Sequence, residues 1–343
     1  MNYRRSLGLL LAFLAFAVMA GRAWSQQLPP PEPPRPIPVT AAEKPTVRVT
    51  TNEVLVPTLV EKRDGSILYG LSPGDFQVLD DGVPQKIHVQ QEMDTAPVAL
   101  VVAVEQGGAS VLEFGKLARL GPLLNLFLAD PRSRAALVGF DSEPHLLCDF
   151  THSDTALNQQ LEHLEPGDGG SAILDTVSYS VDLLETQPRR FRRVLLLISE
   201  KRDHGSRHTK IVQLVRKIGQ SDVLVLSVSF SPARAEFEHD VKDSGEDRTM
   251  NMVSSLVMIV KAFKKNVTRE VAEMSGGEYT TFAGDRGFEQ RVVNAAKHIR
   301  NRYLITFSPS KPSPGLHTLR VRTTQDFGAR VVARTNYWLQ SEP

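Results

Sequence analysis

Residues 98–110 read VALVVAVEQGGAS, an unbroken apolar run that closes on Glu105 and passes directly into a glycine turn. An apolar run of that length without polar alternation suits a strand covered on both faces, the condition of a parallel strand inside an α/β sheet. Ligands of open α/β sheets gather at the carboxyl ends of the strands. An acid at that end, followed by glycines that let backbone approach closely, therefore stands in a functional position.

The pattern around this run sets the fold expectation. From Pro97 onward apolar segments alternate with amphipathic ones, the mark of a doubly wound α/β fold. Strands are expected at Val98–Val104, Ala135–Phe140, His145–Phe150, Val194–Ser199, Val223–Phe230 and Tyr279–Phe282. Helices are expected at Leu112–Leu128, Asp154–Leu164, Ala172–Glu185, His208–Gln220, Val267–Met274 and Gly287–Arg300. The result is a mostly parallel six-stranded sheet with helices on both faces, over residues 97–301. On either side the chain is β-rich, at 46–95 with Asp64-Gly65 and Asp81-Gly82 turns, and at 302–343. Each flank is too small to close a core alone, so the two are expected to form one small all-β sandwich around the α/β body; three units in tandem is the other reading.

The first 25 residues have the composition of a secretory signal: Arg4 and Arg5, an apolar core from Leu7 to Ala20, and Ala23-Trp24-Ser25 as a small-x-small cleavage site. Val18-Met19-Ala20 is a competing site, and an uncleaved anchor is the alternative. The core is too short for a spanning helix, so no membrane insertion is expected once the signal is removed. Residues 26–45, beginning QQLPPPEPPRPIP, form a semi-rigid proline-rich linker. A secreted or periplasmic protein is the expectation.

The chain carries 40 basic and 39 acidic residues, and cleavage removes only Arg4, Arg5 and Arg22. A near-neutral chain gives no electrostatic case for nucleic acid or an anionic membrane. The single cysteine, Cys148, has no partner for an intramolecular disulfide and lies in an apolar strand, where it reads as a small packing residue without chemistry.

Several motifs in one order carry a resemblance: VLVPTLVEKRDGSILYGLSPGDFQVLDDGVPQKI, VALVVAVE, AALVGFDSEPHLLCDFT, GDGGSAILDTV, RRVLLLISE, MSGGEYTTF and NRYLITFSPSKPSPGLHTLRVR. From about Val54 to Tyr337 the chain resembles the bacterial VWFA-related domain family, built on the von Willebrand factor A fold. In metal-binding members the resemblance implies a divalent ion held by D-x-S-x-S in the first loop, a threonine from a second loop and an aspartate after a later strand. Here the first-loop positions are Glu105, Gln106, Gly107, Gly108 and Ala109; the threonine falls on Ser171 and the later aspartate on Glu200. Two hydroxyls are gone and both carboxylates are one methylene longer, which suits Mg²⁺ poorly because it demands near-ideal octahedral oxygen geometry. The expected metal residues are thus Glu105, Ser171 and Glu200 in a degenerate site, with no cofactor, or a weak Mg²⁺ or Ca²⁺ site helped by Asp203. Asp175 reads as a helix N-terminal acid rather than a ligand.

Other chemistry has little support. His204 and His208 could share a helical face, but a third ligand and a general base are missing, and a solvated loop is the better account. No G-x-S-x-G, P-loop or H-E-x-x-H motif occurs, so no catalytic residue is assigned. Residues 231–265 combine a charged stretch with MNMVSSLVMIVKAF, whose apolar spacing fits either core packing or a partner-binding helix overhanging the crevice. The expected function is non-enzymatic: binding of a protein partner, of unknown identity, through Glu105, Ser171, Glu200 and Asp203 or through that insertion. A metal-dependent adhesin with a rearranged site, or a hydrolase with an unrecognised one, are the alternatives.

Overall fold

A computed structural model describes residues 53–90, 96–230, 252–282 and 284–340. The signal segment, the proline-rich linker and the charged part of the 231–265 insertion lie outside the described residues. Four short strands come first: β1 (Val54–Lys62), β2 (Phe76–Asp80), β3 (Val83–Pro84) and β4 (Ile87–Gln90). The α/β body follows as β5 (Val98–Glu105), α1 (Phe114–Leu117), α2 (Leu120–Leu124), β6 (Arg134–Phe140), β7 (Pro144–Thr151), α3 (Asp154–Glu162), α4 (Ile173–Glu185) and β8 (Arg192–Ser199). It continues with α5 (Ile211–Gln220), β9 (Leu224–Ser229), α6 (Met252–Lys265), α7 (Val267–Ser275), β10 (Tyr279–Thr281) and α8 (Gly284–Arg300). The chain ends in β11 (Tyr303–Phe307), β12 (Gly315–Thr323), β13 (Ala329–Val332) and β14 (Asn336–Leu339).

The body is a six-stranded sheet in the order β10-β9-β8-β5-β6-β7, parallel except for the antiparallel edge pair β6–β7. Every residue of β5 is buried, as its uniform apolar run requires, because the helical layers cover both faces. Val98, Leu100, Val102 and Val104 point into one core with α2 and α8; Ala99, Val101 and Ala103 point into the other with α4, α5 and α7. From β5 the chain winds outward to β6 and β7 and then crosses to β8 on β5's other side. The strand order therefore reverses between β5 and β8, and their carboxyl ends flank the crevice where such folds bind ligands.

The two β-rich flanks combine rather than stand in tandem. One four-stranded sheet runs β13-β1-β11-β4 and the other β14-β12-β2-β3, each mixing strands from both chain ends. Their facing residues, Val56, Val60, Phe76, Val78, Ile305, Phe307, Leu319 and Tyr337 among them, make one shared core. Burial of alternate residues in β2 and β11 matches a sheet with one wet face.

Local chemistry corrects the single helix expected over Leu112–Leu128. A 3₁₀ turn at Gly108–Glu113 leads instead into the short α1 and α2. Pro122 cannot donate to the helical ladder and its ring clashes with the preceding turn, so it is accommodated only in the first turn of a new helix. The helix expected from His208 starts at Ile211, since the backbone N–H groups of His208 and Thr209 bond to Asp175 instead. Cys148 is half-buried on the edge strand β7, packed against the core, and burial pushes its thiol pKa up. In α6, Leu256, Ile259 and Phe263 pack on the body while Val257 and Met258 are exposed. Among the described residues no helix is long and apolar enough to cross a membrane.

Candidate functional site

Glu105 closes β5, and Glu200 follows the last residue of β8. Parallel pairing of these strands brings the two acids together: the Glu200 backbone N–H donates to Glu105 Oε2 at 2.8 Å. Glu105 is 1% exposed and Ser171, beside it, is fully buried. Glu105 Oε1 and Ser171 Oγ have no hydrogen-bond partner of normal geometry. Burial, reinforced by the neighbouring Glu200 carboxyl, pushes the Glu105 pKa up to about 8 despite the bond from the Glu200 N–H. At neutral pH Glu105 is mainly a neutral acid, able to donate a proton where a carboxylate could only accept.

Glu200 stands higher in the crevice. Burial raises its pKa as well, held back by His204, whose Nδ1 lies 3.0 Å from Glu200 Oε1. His204 Nε2 lies 3.2 Å from the Gly169 carbonyl, so its ring links the β8 loop to the 167–171 loop. Neither His204 nor His208 is helical, and they form no shared imidazole face.

The 167–171 loop is wedged against the first loop by backbone contacts. Gly167 N–H donates to the Gln106 carbonyl at 2.9 Å, Gln106 Nε2 to the Glu165 carbonyl at 2.9 Å, and Gly108 N–H to the Asp168 carbonyl at 3.3 Å. A Cβ placed on Gly107 would lie 2.0 Å from the Gly170 carbonyl oxygen. Where the metal-binding pattern has its first serine, the neighbouring backbone fills the space of any side chain.

The other acids are occupied at the start of α4. Asp203 Oδ1 accepts from the Leu174 N–H at 3.0 Å and from Ser206 Oγ. Asp175 accepts from the backbone of Arg207 at 2.8 Å and from those of His208 and Thr209. Burial works against the charge of Asp175, but these bonds outweigh it and its pKa falls below the usual range. The structure thus brings Glu105, Ser171 and Glu200 to one crevice and places Asp203 beneath its rim as a tether. Sequence reasoning missed the role of Gly107 and the bridge at His204; the glycine itself was the available signal for the first.

With this geometry in place, a family model described as the von Willebrand factor type A domain matches residues 110–202. Residues 110–202 thus match the von Willebrand factor type A domain, and the α/β body around them has the six-stranded, helix-flanked architecture of that fold. No curated protein matches the chain. Among solved structures, the vWF domain of the type V pili tip protein Mfa5 from Porphyromonas gingivalis is 24% identical over 32% of this chain and 39% of its own, with a TM-score of 0.29. The conserved hypothetical protein BatB from Bacteroides thetaiotaomicron is 14% identical over 58% of this chain and 99% of its own, with a TM-score of 0.39. A von Willebrand factor type A protein from Catenulispora acidiphila is 8% identical over 84% of this chain and 74% of its own, with a TM-score of 0.42. This chain spans well under two thirds of the pilus-tip structure.

Proposed function

We propose that this chain is an exported, non-enzymatic protein-interaction module that recognises a protein partner at the β5–β8 crevice without a divalent ion. The observation that carries the metal-free part is the filled space at Gly107, where no side-chain oxygen fits. The remaining donors are Ser171, a mainly neutral Glu105 and Glu200, which together present little of the negative charge that holds Mg²⁺ or Ca²⁺. They do not fit the ion. Export rests on the sequence of residues 1–25, and the non-enzymatic part on the match of residues 110–202 to the von Willebrand factor type A domain.

The partner meets the rim rather than the floor. Glu200 and His204 are accessible polar groups there, above the buried Glu105 and Ser171, with Asp203 fixing the loop that carries them. Leu112, 81% exposed, and Val111, 39% exposed, follow in the 3₁₀ turn that leaves the first loop and supply the apolar contact. A metal-dependent reading draws on one observation, the unpartnered Glu105 Oε1 and Ser171 Oγ.

Calorimetric titration of the chelator-treated protein with Mg²⁺, Mn²⁺ and Ca²⁺ separates the two. No saturable heat is expected; saturable binding lost in Glu105→Ala would establish the metal-dependent reading instead. A photo-crosslinker at Leu112 or Glu200, in cells making the protein, should then trap one partner in excess chelator, and an outcome no different from a crosslinker at the distant Tyr69 would sink the rim assignment.

A further inference from the structure

The sandwich holds a second cluster that the crevice does not involve. Asp80 ends β2, Asp81 opens the turn after it, and His317 lies opposite on β12. His317 Nδ1 is 3.2 Å from Asp80 Oδ1 and 2.9 Å from Asp81 Oδ2. The ligand-capable atoms of the three residues all lie within 4.8 Å of one another.

We propose that Asp80, Asp81 and His317 form a binding site for one zinc ion, which fastens the N-terminal half of the sandwich to the C-terminal half. Four features of the site support this. First, tetrahedral zinc with bonds of about 2.0 Å sets its ligands roughly 3.3 Å apart, so the 3.2 and 2.9 Å separations of His317 Nδ1 from Asp80 and Asp81 need only a small expansion. Second, the ring is oriented as a ligand: His317 Nε2 lies 2.7 Å from the Ser313 carbonyl, which takes the Nε2 proton and turns Nδ1 toward the carboxylates. Third, the carboxylates are themselves supported, Asp80 Oδ2 by the Tyr337 hydroxyl at 3.0 Å and Asp81 Oδ1 by the Thr318 N–H at 2.9 Å. Fourth, Asp80 and His317 are buried whereas the Asp81 side chain is 50% exposed, which leaves an open side for a water as fourth ligand. One imidazole nitrogen with two carboxylates suits zinc, while Mg²⁺ and Ca²⁺ prefer oxygen alone.

The Tyr337 ring stacks on the imidazole at 4.7 Å and helps to hold it in this orientation.

The test is a zinc titration of the full chain in excess Mg²⁺, followed by calorimetry and melting temperature. Zinc should bind saturably at one site and raise the melting temperature. His317→Gln should abolish the binding, and Asp81→Asn, which retains the Thr318 bond at a half-exposed position, should weaken it at least about 10-fold. If His317→Gln does not fold, Asp81→Asn decides alone. No saturable zinc binding overturns the proposal, and so does wild-type affinity in Asp81→Asn, which would put the bound ion at other ligands.

Discussion

The backbone N–H of Glu200 donates to the buried carboxyl of Glu105 across 2.8 Å, joining the ends of β5 and β8 by a bond that uses no ion. This bond and the Gly107 contact close the crevice floor from within, leaving Glu200 and His204 as its outer polar groups. The first consequence concerns pH. Glu105 titrates near 8 in the fold against an ordinary value of 4.5, so the folded chain keeps a proton that the unfolded chain has lost. Its contribution is complete below about pH 4.5, declines as pH rises through about 8, and totals at most roughly 5 kcal/mol. Glu105→Gln, neutral at every pH, should match the wild type in urea unfolding at about pH 5 and exceed it at about pH 9. Parallel stability profiles for the two proteins would refute the assignment.

Gly107 gives the second prediction. Restoring the serine of the metal-binding pattern with Gly107→Ser places a Cβ against the Gly170 carbonyl, and backbone cannot yield as a side-chain tip can. The variant should lose about 1–3 kcal/mol of stability and gain no Mg²⁺ affinity. Wild-type stability together with new Mg²⁺ binding would show that the 167–171 loop moves aside easily.

A third prediction falls on Arg334, buried between the sandwich and the body. Its Nε donates to the Asn336 carbonyl at 3.1 Å, and its Nη2 to the carbonyls of Ile218 and Gly219 at 3.3 and 3.2 Å, at the end of α5. Close packing continues beside it: a Cβ on Gly276, at φ +84°, would lie 2.8 Å from the Arg334 nitrogen. Arg334→Leu strands these acceptors away from water and should cost roughly 2–4 kcal/mol in denaturant unfolding. A loss below about 0.5 kcal/mol would mean that water replaces the guanidinium.

How much of this was legible in the sequence depended on the kind of signal. The uniform run of β5 and the alternation in β2 and β11 are direct prints of burial on two faces and on one, so the six-stranded body and the shared sandwich could be read from pattern. The carry-over of motif positions located Glu105, Ser171 and Glu200, and the structure brings all three into one crevice. What pattern could not carry was distance. That Gly107 faces the Gly170 carbonyl, that Asp203 turns down to cap α4, and that His317 meets Asp80 across 237 positions are facts of register and loop path. The split of Leu112–Leu128 was legible in Pro122, whose missing N–H forbids one continuous helix.

Glu278 supports the last prediction. Its carboxylate takes His298 Nδ1 at 2.9 Å and Arg302 Nη2 at 3.3 Å, joining the lead-in to β10 with the end of α8 and the start of β11. Burial opposes its charge, but the bond from His298 and the Arg302 cation outweigh that and lower its pKa, so its stabilisation is present near neutral pH and lost as pH falls through that lowered value. The Arg302 side chain is fully buried, and its other partner is the Gly276 carbonyl at 2.7 Å. Glu278→Gln therefore leaves a buried cation without its counter-charge and should cost about 3–5 kcal/mol, whereas Arg302→Met added to it should recover part of that loss. Urea unfolding of the two single variants and the double variant measures the coupling. If the double variant loses the sum of the single losses, the two side chains act independently and the ion pair is not what holds the edge of the sheet to α8.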